Sequence, residues 1–274
     1  MATIEIVPIG DAGHPDLEPY RTLRRRKDLA RESRFVAEGM KIVDRLLASP
    51  FPVESLLLTE ERFARIGPLL AARSGNVRVF LASPKEQIVH VTGFPDRQGI
   101  KAVGRIPLVL TLEGVLRDAR RPCLFAALDG ITNAENVGVV VRNAAALGVG
   151  ALVAGETSCS PFLTRAIGTS MGAVFSLPVV ERVPLLDALV TLRAAGVRCV
   201  AAHPSAMARP LPDADLRGDC CIVLGSEGDG ISPQVLAACD EAVAVPMPEH
   251  VDSLNVGSAA AAFFYEAWRQ RSRR

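Results

Sequence analysis

The chain has 274 residues, 49% hydrophobic and 22% charged, with a formal net charge of +1. That composition is globular and not disordered, and the length suffices for two domains that each bury a core. No apolar stretch approaches the ~18–20 residues of a membrane span. The early acidic residues, with no basic segment before an apolar block, give no secretory signal, so a cytoplasmic protein without a membrane partner is expected.

In chain order, "RTLRRRKDLARESR" (21–34) reads as helical and "RFVAEG" as extended, and "MKIVDRLLAS" has apolar residues at helical spacing. "VESLLLT" reads as a buried strand, "EERFARIGPLLAAR" as a helix and "VRVFLA" as a strand. "SPKEQIVHV" opens a helix on Ser83 and Pro84, and "GIKAVGRI" completes a small α/β unit. Residues 1–106 form a first domain, 107–121 a linker and 122–274 a second domain. There the alternation resumes: "CLFAALDG" strand, 134–148 helix, "ALVAG" strand, "PFLTRAIG" helix, "AVFSLPVV" strand, "PLLDALVTLRAAG" helix. "VRCVAAH" and "CCIVLG" follow as strands, then "SPQVLAAC" as a helix, "EAVAVP" as a strand and a final alanine-rich helix. Nearly all-apolar strands alternating with helices imply a parallel sheet covered on both faces.

The small net charge hides an asymmetry. Residues 1–105 carry 17 Lys/Arg against 13 Asp/Glu, and the rest 14 against 17. The excess concentrates in 21–34, the footprint of a polyanion partner or equally of a solvated helix face. The six cysteines (123, 159, 199, 220, 221, 239) form no C-x-x-C pair and mostly sit in apolar runs. They read as small buried hydrophobes in a reducing compartment, and no metal site is expected.

Ligands of a parallel sheet collect where strands end and helices begin, and three such junctions are unusual. In "LDGITNAENVGVVVRNAAALG" (128–148), Asn133, Asn136 and Gly138 open a largely apolar helix around one guanidinium, Arg142, which needs an anionic partner. In "IVLGSEGDGIS" (222–232), Gly225, Gly228 and Gly230 allow close backbone approach around Glu227. The order fits neither a dinucleotide fingerprint nor a phosphate loop. In "VPMPEHVDSLNVGSAAAAFFYEAW" (245–268), Ser253 and Asn255 precede the last helix, and N-capping explains one of them. "GTSMG" (168–172) matches a nucleophile elbow at Ser170, with Asp229 or Asp240 and His250 to follow. Its context, a helix before and a strand after, is reversed.

Together these segments resemble the SpoU (TrmH) family of RNA ribose 2′-O-methyltransferases in the SPOUT superfamily. Asn136, Gly138, Arg142 and Gly148 match its first motif. Leu224, Gly225, Glu227, Gly228 and Gly230 match the second, and Pro246, Met247, Ser253, Leu254 and Asn255 the third. "RAIGTSMGAVFSLPV" is similar to the family's intermotif stretch, which disposes of the elbow. Residues around "FVAEGMKIVDRLL" resemble, more loosely, an L30e-like substrate-binding domain. Gly257-Ser258 departs from the small or β-branched pair of many members.

The resemblance implies an α/β fold whose C-terminal parallel sheet carries a deep trefoil knot, with the last helix in a homodimer interface. It implies S-adenosylmethionine held by Ala202, Leu224, Gly225, Val245, Met247 and Leu254, with His203 as a further wall. Arg142, Asn136, Glu227, Ser253 and Asn255 would serve catalysis. Arg24, Arg25, Arg26 and Lys27 would grip RNA, ribosomal RNA being favoured over transfer RNA.

Overall fold

The computed structural model describes residues 3–11, 13–22, 33–83, 86–93, 98–106, 110–205, 207–248 and 250–272. Arg24, Arg25, Arg26 and Lys27 lie outside these residues. The chain divides into two compact units, Met1–Leu108 with Phe162–Phe175, and Val109–Pro161 with Ser176–Arg274.

The first unit holds a five-stranded mixed sheet of β1 (Thr3–Pro8), β2 (Arg34–Glu38), β3 (Val53–Thr59), β4 (Asn76–Ala82) and β5 (Ile100–Arg105), in the order β1-β4-β3-β5-β2. β1 and β3 run parallel to β4, while β5 runs antiparallel to β3 and β2. β1 was not foreseen: it is a largely exposed edge strand, so no buried apolar run announces it. The helix Met40–Ala48 buries Met40, Ile42, Val43, Leu46 and Leu47, the stripe its spacing predicts. Thr59 caps the helix Glu60–Ala71 by accepting from the Arg62 N–H. Lys101, 2% exposed, lies opposite Glu38 across the β2–β5 pair, its Nζ 3.2 Å from Glu38 Oε1.

Residues 162–175, expected within the second domain, group with this unit for a visible reason. Phe162 and Phe175 bury themselves against Phe35 and Phe51, with Phe35 ring centroids 6.0 and 5.2 Å away. The expected strand at 173–180 is corrected. Residues Ala173–Ser176 form a 3₁₀ turn, and the strand begins at Val179, after Pro178. Apolar character there reflects burial of Phe175, not strand pairing.

The second unit is built on seven parallel strands, β6 (Leu124–Leu128), β7 (Ala151–Gly155), β8 (Val179–Val183), β9 (Arg198–Ala202), β10 (Arg209–Pro210), β11 (Cys220–Leu224) and β12 (Glu241–Ala244). Their order is β10-β12-β9-β11-β6-β7-β8. β6, β7 and β11 are buried at every residue, as strands covered on both faces must be. One core cluster joins Phe125, Val153, Leu189, Val223 and Val235 with Leu112 and Val115. The last two belong to the helix Leu112–Asp118, inside the stretch read as a linker. The terminal helix Val256–Arg271 packs on the helix Ala134–Ala146. Its far end is held by Arg271, which donates to the carbonyls of Leu216, Gly218 and Cys123 at 2.9, 2.6 and 3.1 Å. All six cysteines are free, five of them buried. Among the described residues no helix is long and apolar enough to cross a membrane.

Candidate active site

The strand order brings the carboxyl ends of β12, β9, β11 and β6 side by side, and these ends carry all three motif turns. Beyond β9, β11 and β12 lies a cavity of about 260 Å³. Its walls include Ala202, Leu224, Gly225, Val245, Met247 and Leu254, the six residues expected to hold the cofactor, and His203. Glu227, Asp229 and Ser253 also line it, and among the described residues no lysine or arginine does.

The glycine turn is a closed loop. Ser226 and Gly230 exchange main-chain hydrogen bonds at 2.9 and 3.1 Å, and Ser226 Oγ accepts from the Asp229 N–H at 3.1 Å. Gly225 is obligatory here. A Cβ on it would lie 2.2 Å from the Gly230 carbonyl carbon and 2.3 Å from Ile231 N, which are backbone atoms that cannot yield.

Asn255 is the N-cap of the terminal helix, its Oδ1 accepting from the Gly257 N–H at 2.9 Å. That bond fixes the amide, so Nδ2 faces the other two turns. It donates to Asn136 Oδ1 at 3.2 Å and, through a very short contact, to Glu227 Oε1. One amide thus joins a residue from each motif. Ser253 is not a cap. It is exposed and lines the cavity, so helix termination accounts for Asn255 alone.

The departure at Gly257 has a packing reason. A Cβ there would sit 2.4 Å from Val139 Cγ1, so its absence lets the terminal helix close onto Ala134–Ala146. Asn143 Nδ2 then donates to the Gly257 carbonyl at 2.8 Å. Together the contacts hold Asn136 and Asn255 in register.

Arg142 does not line the cavity. It is exposed, with no hydrogen bond or ion pair to the described residues, so the anionic partner its surroundings call for is not supplied by them. Ser170 is fully buried and its Oγ donates to the Ile167 carbonyl at 3.0 Å, which leaves no nucleophile. Asp240, once its possible partner, is taken by Arg193 and the Cys199 N–H.

Two supporting residues escaped the sequence reading. Ser158 bridges the first turn to the end of β7, donating to the Leu128 carbonyl at 3.0 Å and accepting from Ile131 N–H at 3.1 Å. Asp129, 7% exposed, accepts from the Ser232 N–H at 2.7 Å. Nothing local marks either, because their partners are 27 to 103 residues away in sequence. Burial pushes the thiols of Cys123, Cys199 and Cys239 up to about 12, so none is a poised nucleophile. Among the described residues no cluster of His, Cys, Asp and Glu has the makings of a metal site.

A sequence model of the SpoU rRNA Methylase family matches residues 124–265. An uncharacterized tRNA/rRNA methyltransferase of Mycobacterium tuberculosis is 33% identical, over 97% of this chain and 93% of its own. The 23S rRNA (guanosine-2′-O-)-methyltransferase RlmB of a Burkholderia species is 32% identical, over 85% of this chain and 95% of its own. Among solved structures, the SpoU methyltransferase AviRb from Streptomyces viridochromogenes in complex with the cofactor AdoMet superposes with a TM-score of 0.80. It is 25% identical and covers 95% of this chain and 100% of its own.

Proposed function

The chain belongs to the SpoU rRNA methylase family, and on that premise we propose that it transfers a methyl group from S-adenosylmethionine to a ribose 2′-hydroxyl of RNA, ribosomal in preference to transfer RNA. One observation carries the reading. Asn255 binds both Asn136 and Glu227 beside a cavity at the strand ends, so three distant motifs act on one place.

The cavity suits the cofactor. Leu224, Ile231, Val245, Leu254 and Phe263 offer apolar walls for a planar base, and two carboxylates with no lysine or arginine among the described lining residues suit a cation. When bound, S-adenosylmethionine supplies an electrophilic methyl on a positive sulfonium.

The chain must then hold the ribose hydroxyl in line, within near-attack distance, and manage its proton. Asn136 and Asn255 position the ribose and neighbouring groups. Glu227 holds the Asn255 amide and with it the loop geometry. Ser253, exposed on the cavity wall, bonds the substrate or Arg142. Arg142 stays charged at any physiological pH and so orients the adjoining phosphate instead of acting as a free base. Its exposure leaves it available for that phosphate.

The wider reading is a cytoplasmic homodimer with a deep trefoil knot, residues 1–106 forming an L30e-like RNA-binding domain that uses Arg24, Arg25, Arg26 and Lys27. Tyr265 and Trp268, 52% and 47% exposed on the terminal helix with ring centroids 5.9 Å apart, support a second copy there. Incubation with bulk RNA and methyl-labelled S-adenosylmethionine tests the activity. Label in RNA is expected; binding without label would leave an idle RNA-binding relative.

A further inference from the structure

The glycine turn that lines the cavity leaves the sheet at Leu224 and rejoins ordered helix at Ser232. Both ends meet one residue of the neighbouring strand's end. At the entry, the Asp129 main-chain N–H donates to the Leu224 carbonyl at 2.8 Å, continuing the β6–β11 ladder one step past Leu128–Leu224. At the exit, Asp129 Oδ2 accepts from the Ser232 N–H at 2.7 Å. The Ser232 side chain makes no capping bond of its own, so the clasp comes from Asp129.

We propose that Asp129 is a positioning residue for the cofactor turn, clasping its entry with the main chain and its exit with the carboxylate. This rests on the reading of the cavity as the S-adenosylmethionine site, since every residue from 225 to 231 lines it. Asp129 also begins the turn that leads to Asn136. A charged acceptor buried to 7% exposure makes a short, directional bond that a water cannot easily replace.

The donor can be removed without opening a hole. Ser232 has φ −61° and ψ 147°, which proline adopts, so Ser232→Pro deletes the N–H, and its Cδ, set where the hydrogen was, turns the Asp129 carboxylate away. S-adenosylmethionine binding is measured by calorimetry on the full-length wild type, Asp129→Ala, Asp129→Asn, Ser232→Pro and the Asp129→Ala/Ser232→Pro double variant. Asp129→Ala and Ser232→Pro should each weaken binding by about tenfold, and the double variant by no more than the weaker single. Asp129→Asn, whose amide oxygen can take the same N–H, should stay within about threefold. In turnover, the cofactor KM should rise with kcat at saturation little changed. Wild-type affinity in both Asp129→Ala and Ser232→Pro, or losses that multiply in the double variant, would overturn the clasp alone. A wild type that binds no S-adenosylmethionine would overturn the cavity reading and the clasp with it.

Discussion

Gly257→Ala is a sharp test of how the site is assembled. The new Cβ would lie 2.4 Å from Val139 Cγ1 and 3.0 Å from Val139 Cβ. Valine has one favoured rotamer in a helix and cannot swing away, so the two helices must part by the order of an ångström. Overpacking of this kind costs about 1–3 kcal/mol, offset by up to ~1 kcal/mol from replacing a helical glycine. The net loss of about 1 kcal/mol should lower the thermal midpoint by about 2–4 °C. The effect on turnover should be far larger. The Asn143–Gly257 bond and the Asn255–Asn136 bond both span the parted helices, and a 1 Å misplacement of reacting groups costs on the order of 100-fold in rate. Methyl transfer to RNA and calorimetric melting read the two effects separately. Val139→Ala in the same background restores the space and should recover most of the rate. Wild-type turnover in Gly257→Ala, or no recovery in the double variant, would refute the reasoning.

Further outcomes follow from the same geometry. Asn255→Ser keeps a good N-cap, so stability should stay within ~0.5 kcal/mol of wild type, while loss of the bonds to Asn136 and Glu227 should reduce transfer at least tenfold; equal turnover would deny the bridge a role. Arg142→Lys should abolish transfer with cofactor affinity within about threefold, because a lysine cannot reproduce a bidentate phosphate grip; an active variant removes Arg142 from the mechanism. Folded-state thiol pKa values near 12 for Cys123, Cys199 and Cys239 stand above the ordinary 9.0. Their contribution to stability is therefore full below about pH 9 and is lost as pH rises from there towards about 12, which melting curves across that range will follow; a midpoint rising over the range would contradict it. Neutralising one of Arg24, Arg25, Arg26 and Lys27, the proposed phosphate grip, should weaken all RNAs alike and lower the salt slope of binding by about one unit. An unchanged slope would assign RNA reading to another surface.

Much of the second unit was legible because its physics is local. β6, β7 and β11 are unbroken apolar runs, and a strand buried on both faces leaves that mark. The turns were legible because glycines and asparagines at strand ends serve no core. What stayed hidden depends on register across the fold. Asp129 and Ser158 look like ordinary turn residues until β11 and β7 flank β6, and Gly257 looks like a helix defect until Val139 faces it. Residues 162–175 read as part of the second domain, yet Phe162 and Phe175 take their packing from Phe35 and Phe51. β1 was hidden by exposure, since an edge strand needs no continuous apolar face. Arg142 stands out in the sequence as one guanidinium in an apolar helix, but not as a side chain left unpaired by the described residues.

The most direct test is to digest methyl-labelled RNA, made with the wild-type protein and unmodified ribosomal RNA, to single nucleosides and identify which one carries the label. A 2′-O-methylnucleoside is the predicted product, and it should fall at least tenfold in Asn255→Ser and vanish in Arg142→Lys. Label on a base, or label undiminished in both variants, would contradict ribose methylation at the junction of Asn136, Glu227 and Asn255.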